Sequence, residues 1–127
     1  MAGKAEIDVE LKKAFIAQQQ RVIETRQKLR LSDMQIDGMK MDIRRSELTD
    51  REMAALPDDT VVYESVGHAF FLESVAKVRQ NIDGKVKASQ EKIKKLEANK
   101  NYLERTLKDG ENNLREMVQQ RKEMSSH

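Results

Sequence analysis

Residues 57–72 read PDDTVVYESVGHAFFL, the one place in this 127-residue chain where a seven-residue period gives way to strand chemistry. Val61, Val62 and Tyr63 form one β-prone run, and Ala69, Phe70, Phe71 and Leu72 form a second. Residues 64–68 lie between them and include Val66 and Gly67, a glycine that can supply the positive φ of a hairpin loop. The spacing predicts a β-hairpin, and it holds three of the chain's five aromatic residues. A lone two-stranded hairpin is marginal in water and leaves both edges unpaired, so this element calls for strands from other chains. Phe70 and Phe71 are consecutive and must point to opposite faces, so the pattern leaves open which face is covered.

On the N-terminal side, apolar residues recur in alternating steps of three and four: Leu11, Phe15, Val22, Leu29, Ile36, Met39 and Ile43, with Gln18, Thr25 and Ser32 on the remaining rungs. This is the seam of a coiled coil, and it predicts a helical arm over residues 8–56 with Asp8 as its N-cap. Gly38 costs about 1 kcal/mol in such a helix without breaking it. Leu48 and Leu56 fall off the rungs while Met53 stays on, and Thr49-Asp50-Arg51-Glu52 has the form of a capping box. A break near residues 46–49 is therefore expected, with a short restarted helix ending before Pro57.

The same period returns over residues 73–124, on rungs that include Leu72, Val75, Arg79, Ile82, Val86, Ile93, Leu96, Lys100, Leu103, Leu107, Gly110, Leu114, Met117, Arg121 and Met124. Ser74 is a suitable N-cap, and the helix would be about 75 Å long. A helix with one apolar stripe needs a partner, and the first arm is nearly its equal in length. The expected fold is mainly α: a long antiparallel two-helix coiled coil with one β-hairpin at the bend, forming a single domain over residues 1–127. Pairing about the bend sets Ile43 near Val86, Ile36 near Ile93, Leu29 near Lys100, Val22 near Leu107 and Phe15 near Leu114. Toward the open tip the seam weakens, with Gln18 near Gly110 and Leu11 near Arg121, so fraying is expected there and disorder over residues 1–7 and 125–127.

Composition argues against a closed globular core, since 38% of residues are hydrophobic and 36% charged. With 24 basic and 22 acidic residues the signs nearly cancel, which gives no footprint for nucleic acid or for a membrane surface. The acidic start MAGKAEIDVELKK cannot serve as the basic region of a leucine-zipper DNA binder. It also lacks a signal-peptide core, and no run approaches the roughly 20 apolar residues that span a bilayer. There is no cysteine, and the two histidines, His68 and His127, fall at opposite ends of the expected rod. With no phosphate loop or nucleophile elbow either, the expectation is a cytoplasmic protein that is not an enzyme and holds no cofactor or metal. The methionines are more informative. Met117 and Met124 lie near the open tip with Leu11, Phe15, Ile16, Leu114 and Val118, and flexible Met beside an aromatic suits a surface that accepts varied apolar partners. Ordinary terminal packing of the coil explains the same spacing.

An arm beginning ELKKAF, the segment LTDREM, the motif VVYESVGHAFFLES and a returning arm carrying KIKKLEANKNYLERTLKDGENNLREM together resemble the β-class subunits of prefoldin. The specific part is Tyr63-x-x-Val66-Gly67-x-x-Phe70, and the interval between the arms has room for one hairpin, as in the β class. His68 departs from the pattern, since Arg is common there in the family. The resemblance implies a subunit of a hetero-hexameric, ATP-independent co-chaperone whose partners are other α- and β-class prefoldin subunits. Such complexes capture non-native clients, actin and tubulin above all, and deliver them to the cytosolic group II chaperonin. Carried onto this chain, it implies oligomerisation through Val61, Val62, Tyr63, Val66, Gly67, Phe70, Phe71 and Leu72. It also implies client binding at the tip through Leu11, Phe15, Ile16, Leu114, Met117, Val118 and Met124. The rival reading is a structural coiled-coil scaffold or tether that binds no client.

Overall fold

The computed structural model describes residues 2–126; Met1 and His127, and with them the outermost residues of the segments expected to be disordered, lie outside the described residues. The chain runs α1 (Ala2–Ala54), β1 (Val61–Val66), β2 (Ala69–Ser74), α2 (Val75–Ser125). This is the expected mainly α class with one antiparallel hairpin between two long helices. Contacts divide the chain into two compact units, one from the terminal segments up to Asp33 and from Glu97 onward, the other Met34–Leu96. A single domain was expected.

The break expected near residues 46–49 is absent, because α1 is one helix from Ala2 to Ala54. Covered positions along α1 keep steps of three and four without interruption from Asp8 to Met53, and Ser46 and Asp50 occupy the rungs that were read as a slip. Leu48, which suggested the slip, points away from the seam and is 56% exposed. The Thr49 hydroxyl does not cap a new helix; it donates to the Arg45 carbonyl at 2.9 Å, a bond of the helix interior. The helix closes where Ala55 and Leu56 donate to the carbonyls of Glu52 and Met53, a tightening of the last turn ahead of Pro57. Nor is Asp8 an N-cap. The helix continues back to Ala2, and Asp8 lies inside it, paired with Lys12 at 3.7 Å and with Arg121 of α2 at 3.4 Å.

In the unit of the terminal segments, Val22 and Leu103 form the apolar core, joined by the buried Ser32. Asp8–Arg121, Arg26–Glu111 and Asp33–Lys100 tie the helices together in antiparallel order. Gly110, expected to be a weak layer, is instead a point of close approach: a Cβ there would lie 2.9 Å from Val22 Cγ2.

In the second unit, Ile36, Ile93, Val75 and Val78 are the buried apolar residues. Ser74 caps α2 as the sequence predicts, its hydroxyl accepting from the Lys77 amide at 3.2 Å. The first turn differs from the expected rungs: Val78 is buried, and Arg79 turns outward to Asp50. Arg79 Nε donates to Asp50 Oδ1 at 2.9 Å and Nη2 to Oδ2 at 3.4 Å. This two-pronged bond holds the Asp50 carboxyl below its ordinary value of 3.8 and raises Arg79, with the attraction of opposite charges adding to it and desolvation opposing it. A carboxyl lowered on folding adds stability above its ordinary value and loses that contribution as pH falls through the lower folded value. An Arg79→Gln variant is therefore expected to be slightly less stable than the parent at neutral pH, with the gap closing below about pH 3.8. Urea midpoints from circular dichroism at neutral pH and near pH 2 would check this; a gap that persists in acid would contradict it.

Candidate functional site

The hairpin pairs Val61 with Ser74 through Val66 with Ala69, leaving the two-residue loop Gly67-His68. Only Gly67 has positive φ, at 62°, so the first loop residue carries the left-handed backbone that a type II′ turn requires. The loop is shorter than expected because β1 runs on to Val66; β2 starts at Ala69 as expected and extends at its far end to Ser74.

This register settles the two faces. Val62, Glu64 and Glu73 share one face with Phe71 and are half-buried, and Glu64 accepts a hydrogen bond from Asn81 Nδ2 of α2 at 3.3 Å. That face is turned to the chain's own helix. The other presents Val61, Tyr63, Phe70 and Leu72, which are 53%, 74%, 73% and 61% exposed. Tyr63 lies opposite Leu72, so the exposed apolar side chains are neighbours across the strands. Of the predicted hairpin residues, Val62 and Phe71 thus share the face that meets the helix, as does Val66 near the loop, although Phe71 and Val66 stay 53% and 58% exposed; Val61, Tyr63, Phe70 and Leu72 lie on the other face. The outer edge of each strand carries no partner among the described residues. A bare apolar face between two open edges is suited to burial against other protein.

At the terminal end of the helix pair, α1 and α2 bound an open groove of about 490 Å³. Five of the seven predicted tip residues line it: Leu11, Phe15, Ile16, Met117 and Val118. Ile16 is 64% and Val118 42% exposed. Leu114 is half-buried and lies outside this lining, and Met124 belongs to a neighbouring hollow with Lys4, Ala5, Asp8, Arg121 and Ser125. Sequence reasoning missed the groove's charged residues, Lys12, Arg121 and Lys122. Their signal was present at helical spacing: Lys12 follows Leu11, and Arg121 and Lys122 lie about one turn beyond Met117 and Val118.

No group of three metal-ligating side chains occurs among the described residues, and no described helix is long and apolar enough to cross a membrane.

A family model described as prefoldin subunit matches residues 17–121, a range that holds the whole hairpin and most of both helices. Prefoldin subunit 1 of Tetraodon nigroviridis is 47% identical over 118 residues, covering 93% of this chain and 97% of that protein. Prefoldin subunit 1 of Homo sapiens is 44% identical over the same extent. Among solved structures, the prefoldin beta subunit from Thermococcus strain KS-1 is 28% identical with a TM-score of 0.45, covering 84% of this chain and 88% of that one. With one hairpin set between two heptad helices and a family match over most of its length, this chain belongs to the prefoldin family of co-chaperone subunits.

Proposed function

We propose that the chain is a β-class subunit of a cytoplasmic, ATP-independent hetero-hexamer that captures non-native polypeptides and delivers them to the group II chaperonin. Actin- and tubulin-type chains are its clients. The bare hairpin face joins it to α- and β-class neighbours, and the groove at the terminal end holds exposed apolar segments of the client. Nucleic acid, membrane, cofactor and catalysis have no part in this reading.

The observation that carries it is the groove, where Leu11, Phe15, Ile16, Met117 and Val118 gather on two helices with an open side. Each apolar contact there is weak, and several such grooves around one complex raise the total through effective concentration. Replacing Ile16 and Val118 by serine removes exposed apolar surface while leaving the seam in place. The Ile16→Ser/Val118→Ser variant is expected to assemble with partner subunits as the parent does, and to suppress client aggregation about tenfold less well. Light scattering of diluted, denatured actin measures this. Suppression at the parent's level would return the chain to the role of a tether.

A further inference from the structure

The lining of the proposed capture site is unevenly charged. The groove is lined by Lys12, Arg121 and Lys122 and by no carboxylate, in a chain whose 24 basic and 22 acidic residues nearly balance. Glu10, Glu116 and Glu123 belong to the same turns of α1 and α2, yet none of them lines the groove. Asp8 is the near carboxylate, and it is shared: Lys12 Nζ lies 3.7 Å from one of its oxygens and Arg121 Nε 3.4 Å from the other. One negative charge thus faces two positive ones, and the Lys122 ammonium has no partner among the described residues. A net positive rim surrounds an apolar floor.

Resting on the reading of this groove as a capture site, we infer that it prefers an apolar segment flanked by acidic residues. The apolar core of such a segment covers Phe15, Ile16, Met117 and Val118, while its flanking carboxylates meet Lys12, Arg121 and Lys122. Arg121 adds geometry as well as charge, because its guanidinium matches a carboxylate in two parallel hydrogen bonds. Apolar contact supplies affinity that is indifferent to sequence, and the rim supplies preference and a faster encounter.

The test uses three labelled peptides with one apolar core and Glu, Gln or Lys flanks, titrated with the full chain and followed by fluorescence anisotropy. At about 50 mM salt the Glu-flanked peptide is expected to bind about tenfold more tightly than the Gln-flanked one, and the Lys-flanked one more weakly than both. Near 0.5 M salt the difference should shrink to about twofold or less. In the Lys12→Gln/Arg121→Gln/Lys122→Gln variant the preference for Glu over Gln flanks should vanish, whatever the absolute affinity of the variant groove. In Lys122→Glu the Lys-flanked peptide should gain. Equal binding of the Glu- and Gln-flanked peptides at low salt overturns the inference and leaves the groove as a capture site. Failure of all three peptides to bind even at about 1 mM chain, where a single weak groove would still fill, overturns the capture site itself and the inference with it. A single-stranded oligonucleotide that displaces the Glu-flanked peptide as well as unlabelled peptide does would overturn the inference in favour of a general polyanion site.

Discussion

Mixed with its partner subunits, a chain carrying Phe70→Asp and Leu72→Asp is expected to stay out of the complex while keeping the parent's helical circular dichroism. Both residues lie on the outward face of the hairpin, at 73% and 61% exposure, so the isolated chain loses no buried contact. In an assembly that covers this face, two carboxylates would be taken out of water without cationic partners. Such burial costs several kcal/mol per ion, so even partial burial of the pair would weaken association by about a thousandfold or more. Native mass spectrometry of the mixture reads the outcome. The loop substitution His68→Asp serves as the control, since His68 sits in the exposed turn and contributes to neither face. A complex of unchanged mass and abundance with the double variant would remove the hairpin from the assembly reading.

The second large effect concerns Gly110. It occupies a rung of the seam, where the repeat pattern alone would welcome a leucine. The structure predicts the opposite. A Cβ at this position would lie 2.9 Å from Val22 Cγ2 and 3.1 Å from Gln18 Nε2. The Gln18 amide ends a flexible side chain and can move. Val22 is 3% exposed, short and stiff about χ1, so it cannot. The helices must then separate at this layer, and Gly110→Leu is expected to cost about 3 kcal/mol, outweighing the helix-propensity gain of about 1 kcal/mol. Gly38→Ala makes the contrasting case: nothing lies within 4 Å of its added carbon, so it should stabilise by about 1 kcal/mol. Thermal melts followed at 222 nm separate the two. A Gly110→Leu chain that melts with or above the parent would show that the close approach is relaxed at little cost.

Much of this architecture is legible without coordinates because two strong local signals agree. Gly67 between two β-prone runs marks the turn, and the steps of three and four mark both helices. The errors have two causes: polar residues were not credited with holding rungs, and the repeat was counted through positions where it shifts by one. Ser46 and Asp50 continue the seam as polar residues, so an intact helix looked interrupted. Arg79 was placed on a rung that Val78 fills, although Val75 before it and Ile82 after it are covered as expected. The clue was available in the pairing itself. The alignment that sets Ile43 near Val86 also sets Asp50 opposite Arg79 and Asp8 opposite Arg121, and both pairs form. The exposed hairpin face was not decidable, since Phe70 and Phe71 are equally apolar and only the Glu64–Asn81 bond shows which side meets the helix. The basic rim of the groove was hidden because lysines on a coil surface read as solvated until neighbouring helices bring them to one opening.

The Asp33–Lys100 pair, 2.6 Å long between a half-buried lysine and an exposed carboxylate beside the seam of the terminal unit, guards against slippage. Were one helix displaced by seven residues along the other, many apolar rungs would still find apolar mates, such as Leu29 with Leu107 or Ile93, so the repeat alone discriminates weakly against the mistake. Lys100 would then confront Arg26 or Lys40, and in the second of those alignments Glu111 would confront Asp33. Repulsion between like charges thus penalises the wrong alignments within the terminal unit.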